Sequence, residues 1–279
     1  MTMKIRLAAL GALLLASTAQ AQAPGLGDAG ELVDPTAFRV CADPRNLPFS
    51  DQAGAGFENK IAALFGEKLG KPVVYSYFPQ VIGFYRNTLN AYRCDVVMGV
   101  AQGVDMVQTT VPYYHTAYAL VVKPGHGLDG VTTLADPRLR DKRIGAIART
   151  PPTTVMAERG LMARAKFYPL QVDTRVEAPA RNMIADLRAD QIDAAVLWGP
   201  IAGYYAREGA EKLAVTPLLQ EGGEAMDFRI SMGVRHADQD FKRILNRLIA
   251  ENHDAIDRIL LAYGVPLLDE QGHPLTATP

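Results

Sequence analysis

"RCDVVMGV" (residues 93–100) and "QIDAAVLWGP" (residues 191–200) share one pattern: an aspartate, small apolar residues, then glycine. Short runs so continuously apolar read as strands buried on both faces, as in a parallel sheet covered by helices. Each has a matching stretch upstream, "RVCADP" (39–44) and "RIGAIART" (143–150), that opens with arginine and a short strand. Between the members of each pair the chain passes through helix, strand and helix. Two such units predict an α/β protein of two lobes, with parallel sheets flanked by helices around a hinged cleft.

Working outward, further strand-like runs are "FRVCA" (38–42), "VVYSYF" (73–78), "YALVVK" (118–123), "LQVDTRV" (170–176) and "RISMGV" (229–234). Phe57, Ile61, Leu64, Phe65 and Leu69 recur at helical spacing, with Gly70 at the stop position. Phe241, Ile244, Leu245, Leu248, Ile249, Ile256, Ile259, Leu260 and Tyr263 form one apolar stripe, read as a single last helix. The expected division is lobe 1 over 37–122 plus 224–270 and lobe 2 over 123–223. A flexible lead-in covers 22–36 and a tail covers 271–279.

The N-terminus reads as a secretory signal over residues 1–21. Lys4 and Arg6 precede an apolar run from Leu7 to Ala16, and Ala19-Gln20-Ala21 supplies the small-residue cleavage site. That run is too short to span a bilayer, so the mature chain, starting after Ala21 or Ala23, is expected to be exported without membrane insertion. Lys+Arg 29 against Asp+Glu 30, with no basic run, argues against a nucleic-acid partner.

Few motifs call for catalysis or a cofactor. "GHGLDG" (125–130) matches a dinucleotide fingerprint on paper, but Pro124 precedes it and a turn region follows, so it reads as a hinge loop. The five histidines show no metal-ligand spacing. A disulfide between Cys41 and Cys94 would close a long loop and contribute ~4 kcal/mol. Parallel neighbouring strands would instead separate the two cysteines and leave buried thiols; the bridge is the reading carried forward.

The loop in "CADPRNLPFSDQAGAGFENKI" (41–61) follows a strand, so Asp43, Asn46, Pro48 and Phe49 are placed at the cleft, beyond the carboxyl ends of the strands. Trp198, the only tryptophan, occupies the equivalent place after the other strand, followed by Gly199 and Pro200. It reads equally as core packing and as a binding surface. Thr150 and Thr153, around Pro151 and Pro152, open a helix whose N–H groups would face an anion, or simply cap that helix.

These stretches, with "VPYYHTAYALVVKPG" and "LRDKRIGAIARTPPTT", resemble the family 3 periplasmic solute-binding proteins over nearly the whole mature chain. The resemblance implies the same hinged, two-lobed fold (type II). Amino-acid receptors of that family use an arginine shortly after the strand matching "CDVVMGV". Here no Arg or Lys stands between Arg93 and Lys123. Their acid after the strand matching "DAAVLWG" is replaced by Trp198, Gly199 and Pro200. Burying a zwitterion without either partner is unfavourable.

"FPQVIGFYRNTLNAYRCDVVMGV" and "DMVQTTVPYY" are similar to a distinct branch, the XoxJ/MoxJ-type accessory proteins of pyrroloquinoline-quinone (PQQ) methanol dehydrogenases. That resemblance implies a non-catalytic periplasmic protein aiding maturation or activation of the dehydrogenase. The cleft, with Trp198, Phe49, Phe78, Gln80, Tyr85, Arg86 and Gly99 around it, would receive a segment of that partner. Two alternatives are a receptor of an ABC importer for a small non-amino-acid ligand, and a cyclohexadienyl-dehydratase-like enzyme. For the enzyme Glu58 would be the acid, although it reads as a solvated helix residue.

Overall fold

A computed structural model describes residues 32–275; the signal stretch and the lead-in up to residue 31 lie outside the described residues, as do residues 276–279. The first αβ unit runs β1 (Phe38–Ala42), β2 (Arg45–Asn46), β3 (Ser50–Asp51), α1 (Phe57–Leu69), β4 (Val73–Tyr77), α2 (Phe84–Asn87) and β5 (Val96–Ala101). The chain then crosses in β6 (Gln108–Val122), the longest strand. The second unit runs β7 (Ile144–Ile147), α3 (Pro151–Glu158), β8 (Lys166–Tyr168), α4 (Pro179–Arg188) and β9 (Ala194–Trp198). It closes with α5 (Gly199–Arg207) and β10 (Ala214–Pro217), and β11 (Asp227–Val234), α6 (Gln239–Glu251) and α7 (His253–Ala262) complete the order.

The repeated pattern is a repeated topology. In the first unit the strands lie β4-β1-β5 and in the second β8-β7-β9, all parallel, with the first strand of each unit in the middle. The arginine and aspartate that open the two strands also meet. Arg39 bonds Asp95 at 2.8 Å and Arg143 bonds Asp193 at 2.6 Å. In both units the backbone N–H of the aspartate donates to the carbonyl of its arginine at 2.8 Å.

The crossing strands depart from the all-parallel expectation. β6 and β11 run antiparallel to each other, β11 is antiparallel to β5, and β6 is antiparallel to β9 and β10. β6 changes partner along its length: Gln108–Ala117 pairs with β11, and Tyr118–Val122 pairs with β9. Phe38, Phe57, Ile61, Phe65, Met98 and Leu245 fill the core over the first sheet, and Leu120, Ile144, Val155 and Val196 fill one on the second.

Two elements differ from the sequence reading. The last helix is broken at Asn252, whose φ of −123° leaves the helical region and whose side-chain amide donates to the Leu248 carbonyl. "LQVDTRV" is not a strand, the β-strand of that region being Lys166–Tyr168. Its alternation is real, because Leu170, Val172 and Thr174 all face one cavity. It has no strand to pair with, and the Asp173 carboxylate turns the chain by accepting from the Arg175 N–H.

Cys41 and Cys94 form a disulfide with Cα atoms 5.3 Å apart. The strand ends do not hold the two cysteines apart, because Cys94 lies ahead of β5 rather than within it.

Candidate functional site

A cavity of about 600 Å³ lies where the carboxyl ends of the two sets of parallel strands meet. β5 brings Ala101 to it, β7 brings Ile147, and β9 brings Leu197 and Trp198. Tyr118 comes from β6, Phe228 and Ile230 from β11, and Asn46 and Phe49 from the loop region after β1. Its lining consists of apolar and neutral polar residues, with no charged side chain among them.

Three rings form its floor. Trp198 packs edge-on against Tyr118, with centroids 5.1 Å apart, and against Phe228 at 5.8 Å; Tyr118 and Phe228 are 6.3 Å apart. Such tilted arrangements suit the ring quadrupoles. Half-buried Trp198 also packs on the core of the first sheet, so it is at once core packing and cavity wall. Burial pushes the Tyr118 hydroxyl up to about 12.

A polar bridge spans the mouth. Asp43, itself buried, accepts from the backbone N–H groups of Arg45 and Gln80, and from the Thr174 hydroxyl at 2.9 Å. Asn46 donates to the Gln80 side chain at 2.8 Å, Arg45 to the Arg175 carbonyl at 2.7 Å, and Tyr205 to the Leu47 carbonyl at 3.3 Å. The loop after β1 is thereby tied to residues of the second αβ unit.

Of the residues expected at the cleft, Asn46, Phe49, Gln80, Thr150 and Trp198 line the cavity. Asp43 stands behind them, and Pro48 sits in the same loop after a cis peptide bond. Phe78 and Tyr85 pack instead around the disulfide, and Arg86 is exposed on α2. Gly99 lies over Glu58, where a Cβ would collide with the carboxyl oxygen. Gly199 and Pro200 are buried in the first turn of α5. A Cβ on Gly199 would run into the Ala117 carbonyl.

The anion corner has little to offer. Pro151 and Pro152 carry no N–H, and the Thr153 N–H donates to the Thr150 carbonyl. Glu58 is buried rather than solvated. Desolvation, with Asp43 adding repulsion, raises its carboxyl to about 8. It is absent from the cavity lining, so it does not stand over a bound substrate there.

Sequence reasoning missed Tyr118, Phe228, Leu170, Val172 and Ile201 as lining residues. The alternation of Leu170, Val172 and Thr174 was the available signal. Tyr118 and Phe228 reach the cavity only because the crossing strands are antiparallel neighbours.

A ligand-sized cavity between two αβ units, beyond the carboxyl ends of their parallel strands, defines a type II periplasmic binding protein fold. No protein-family model matches the chain. The crystal structure of the periplasmic binding protein XoxJ from Methylobacterium extorquens AM1 is 40% identical, covering 84% of this chain and 100% of that one, with a TM-score of 0.73. Protein MoxJ from Methylorubrum extorquens is 29% identical over 282 residues, covering 94% of this chain and 93% of the relative. An ancestral cationic amino acid solute-binding protein, 18% identical, shares the fold over 82% of this chain and 95% of that one at a TM-score of 0.66. The chain belongs to the MoxJ/XoxJ family of periplasmic binding proteins.

Proposed function

We propose that this chain is a periplasmic accessory of a PQQ-dependent methanol dehydrogenase, aiding its maturation or activation without catalysis. The observation that carries the reading is the uncharged cavity: the scaffold of a solute receptor is kept, and the charged clamp for an amino acid is gone. Its kinship with XoxJ and MoxJ supports the link to methanol oxidation. Two hinged lobes, 37–122 plus 224–270 and 123–223, fit the change of partner within β6. Among the described residues no helix is long and apolar enough to cross a membrane, and the leader would be removed on export.

The partner would meet the mouth of the cleft. Ile82 is 80% exposed and Val176 84% exposed, each two residues beyond a cavity-lining residue, Gln80 and Thr174. Exposed apolar side chains at a rim serve as anchors for a protein surface. The test is co-purification of the dehydrogenase with the tagged mature protein, repeated with Ile82→Glu and Val176→Glu. Retention by the parent and loss in the variants is expected. No retention, with unchanged dehydrogenase activity in cells lacking the chain, would sink the reading.

A receptor role for an ABC importer is the second reading, favoured by the bridge from Asp43 to Thr174 that closes the mouth. It requires a permease partner in the same capture experiment.

A further inference from the structure

We propose that the inner cavity is a site for a small uncharged molecule, a flat apolar body with one hydrogen-bond acceptor, held against Trp198, Tyr118 and Phe228. This deepens the preceding reading and rests on it in one respect, that the cleft is the working site. It concerns the occupant of the cavity and not the protein at its mouth.

Charge supplies the first argument. A carboxylate or ammonium group entering this lining would leave its water and find no counter-ion. The free polar groups supply the second. Asn46 donates to Gln80, the Thr150 hydroxyl to the Ile147 carbonyl, and the Thr174 hydroxyl to Asp43. The Tyr118 hydroxyl, the Trp198 indole N–H and the Gln80 amide N–H groups make no hydrogen bond with any described residue, so the free groups of the lining are chiefly donors that a ligand acceptor at the ring floor would meet.

The same scarcity of polar partners argues against a polypeptide strand deep in the cavity. Its N–H and C=O groups would be buried largely unpaired. A cavity of about 600 Å³ is instead the size that encloses a drug-sized molecule. The aromatic floor fits a flat ring by stacking or edge contact.

The test uses two probes on one naphthalene frame. One is 6-propionyl-2-dimethylaminonaphthalene, neutral and carrying a carbonyl acceptor; the other replaces the propionyl group with a sulfonate. Each is titrated into the purified mature protein, following quenching of Trp198 emission and the blue shift of the probe. The neutral probe is expected to bind about tenfold or more tightly than the anion. Tyr118→Phe should weaken the neutral probe several-fold. Leu170→Lys, a change at a loop residue 49% exposed and so tolerated by the fold, should narrow or reverse the preference.

Equal affinity for the two probes, or binding of neither, would overturn the proposal. So would a preference that Leu170→Lys leaves untouched. Dehydrogenase capture is scored on the same preparation. Probe failure with capture intact removes this site and leaves the accessory role standing. Selective probe binding without capture supports the site while the accessory role falls.

Discussion

The two αβ units carry the same clasp in different surroundings. Arg39–Asp95 and Arg143–Asp193 arise from the same positions of a repeated pattern and make the same backbone bond. The Asp95 side chain has no exposure and is held by Arg39 and, at 2.7 Å, by Arg235 returning from after β11. Arg143 and Asp193 are 37% and 28% exposed and have no second arginine. The disulfide is also confined to the first unit. One motif therefore serves as a buried anchor in one unit and as a solvated pair in the other. The difference comes from what the C-terminal part of the chain lays over the first unit.

The sharpest way to break this comparison is to remove each aspartate in turn. Asp95→Ala would remove the fully buried carboxylate shared by Arg39 and Arg235, leaving Arg39 with Asp34 at 3.8 Å and buried Arg235 with Asp238 at 2.8 Å, and should cost about 3–5 kcal/mol in denaturant unfolding. Replacing both cysteines with serine comes next, at about 2–4 kcal/mol, since the bridge closes a 53-residue separation. The loss should be recovered by no change in the second unit.

A pH series sharpens the same contrast, because the first unit also buries Glu58. Its carboxyl is raised from 4.5 to about 8, so the folded chain holds the proton while the unfolded chain releases it. Stability from this group is fully present below about pH 4.5 and is lost as pH rises to about 8. Glu58→Gln should therefore gain about 2–4 kcal/mol relative to the parent between pH 5 and 8, then stay level. A gap that does not change with pH would show that Glu58 is ionised in the fold.

Asp193→Ala should have the smallest effect, about 0–1 kcal/mol, as for an exposed pair. A loss matching that of Asp95→Ala would mean that burial does not set the strength of the clasp, since the backbone bond survives both substitutions.

Much of the fold was legible because apolar periodicity reports burial. The strands "RCDVVMGV" and "QIDAAVLWGP", the helix of Phe57 to Leu69 and the repeat of the two units all follow from it. Strand alternation at Leu170, Val172 and Thr174 was legible as alternation but not as cavity lining, because spacing does not say whether a ladder partner exists. Glu58 read as solvated because a carboxylate in the first turn of a helix has no sequence mark for depth.

By itself the sequence determined which residues are apolar and in what rhythm. It also determined that the cleft stretches lack the charges an amino-acid receptor needs, since a missing arginine is missing in any fold. Only the tertiary structure decided that Asp95 lies beneath Arg235, that the two cysteines meet, and that Tyr118 and Phe228 join Trp198. The cysteines meet through the parallel pairing of β1 with β5, Arg235 reaches Asp95 through β11 beside β5, and the three rings meet through the antiparallel pairing of β6 with β11 and β9. Each is a long-range register set by packing between distant segments and not by local preference.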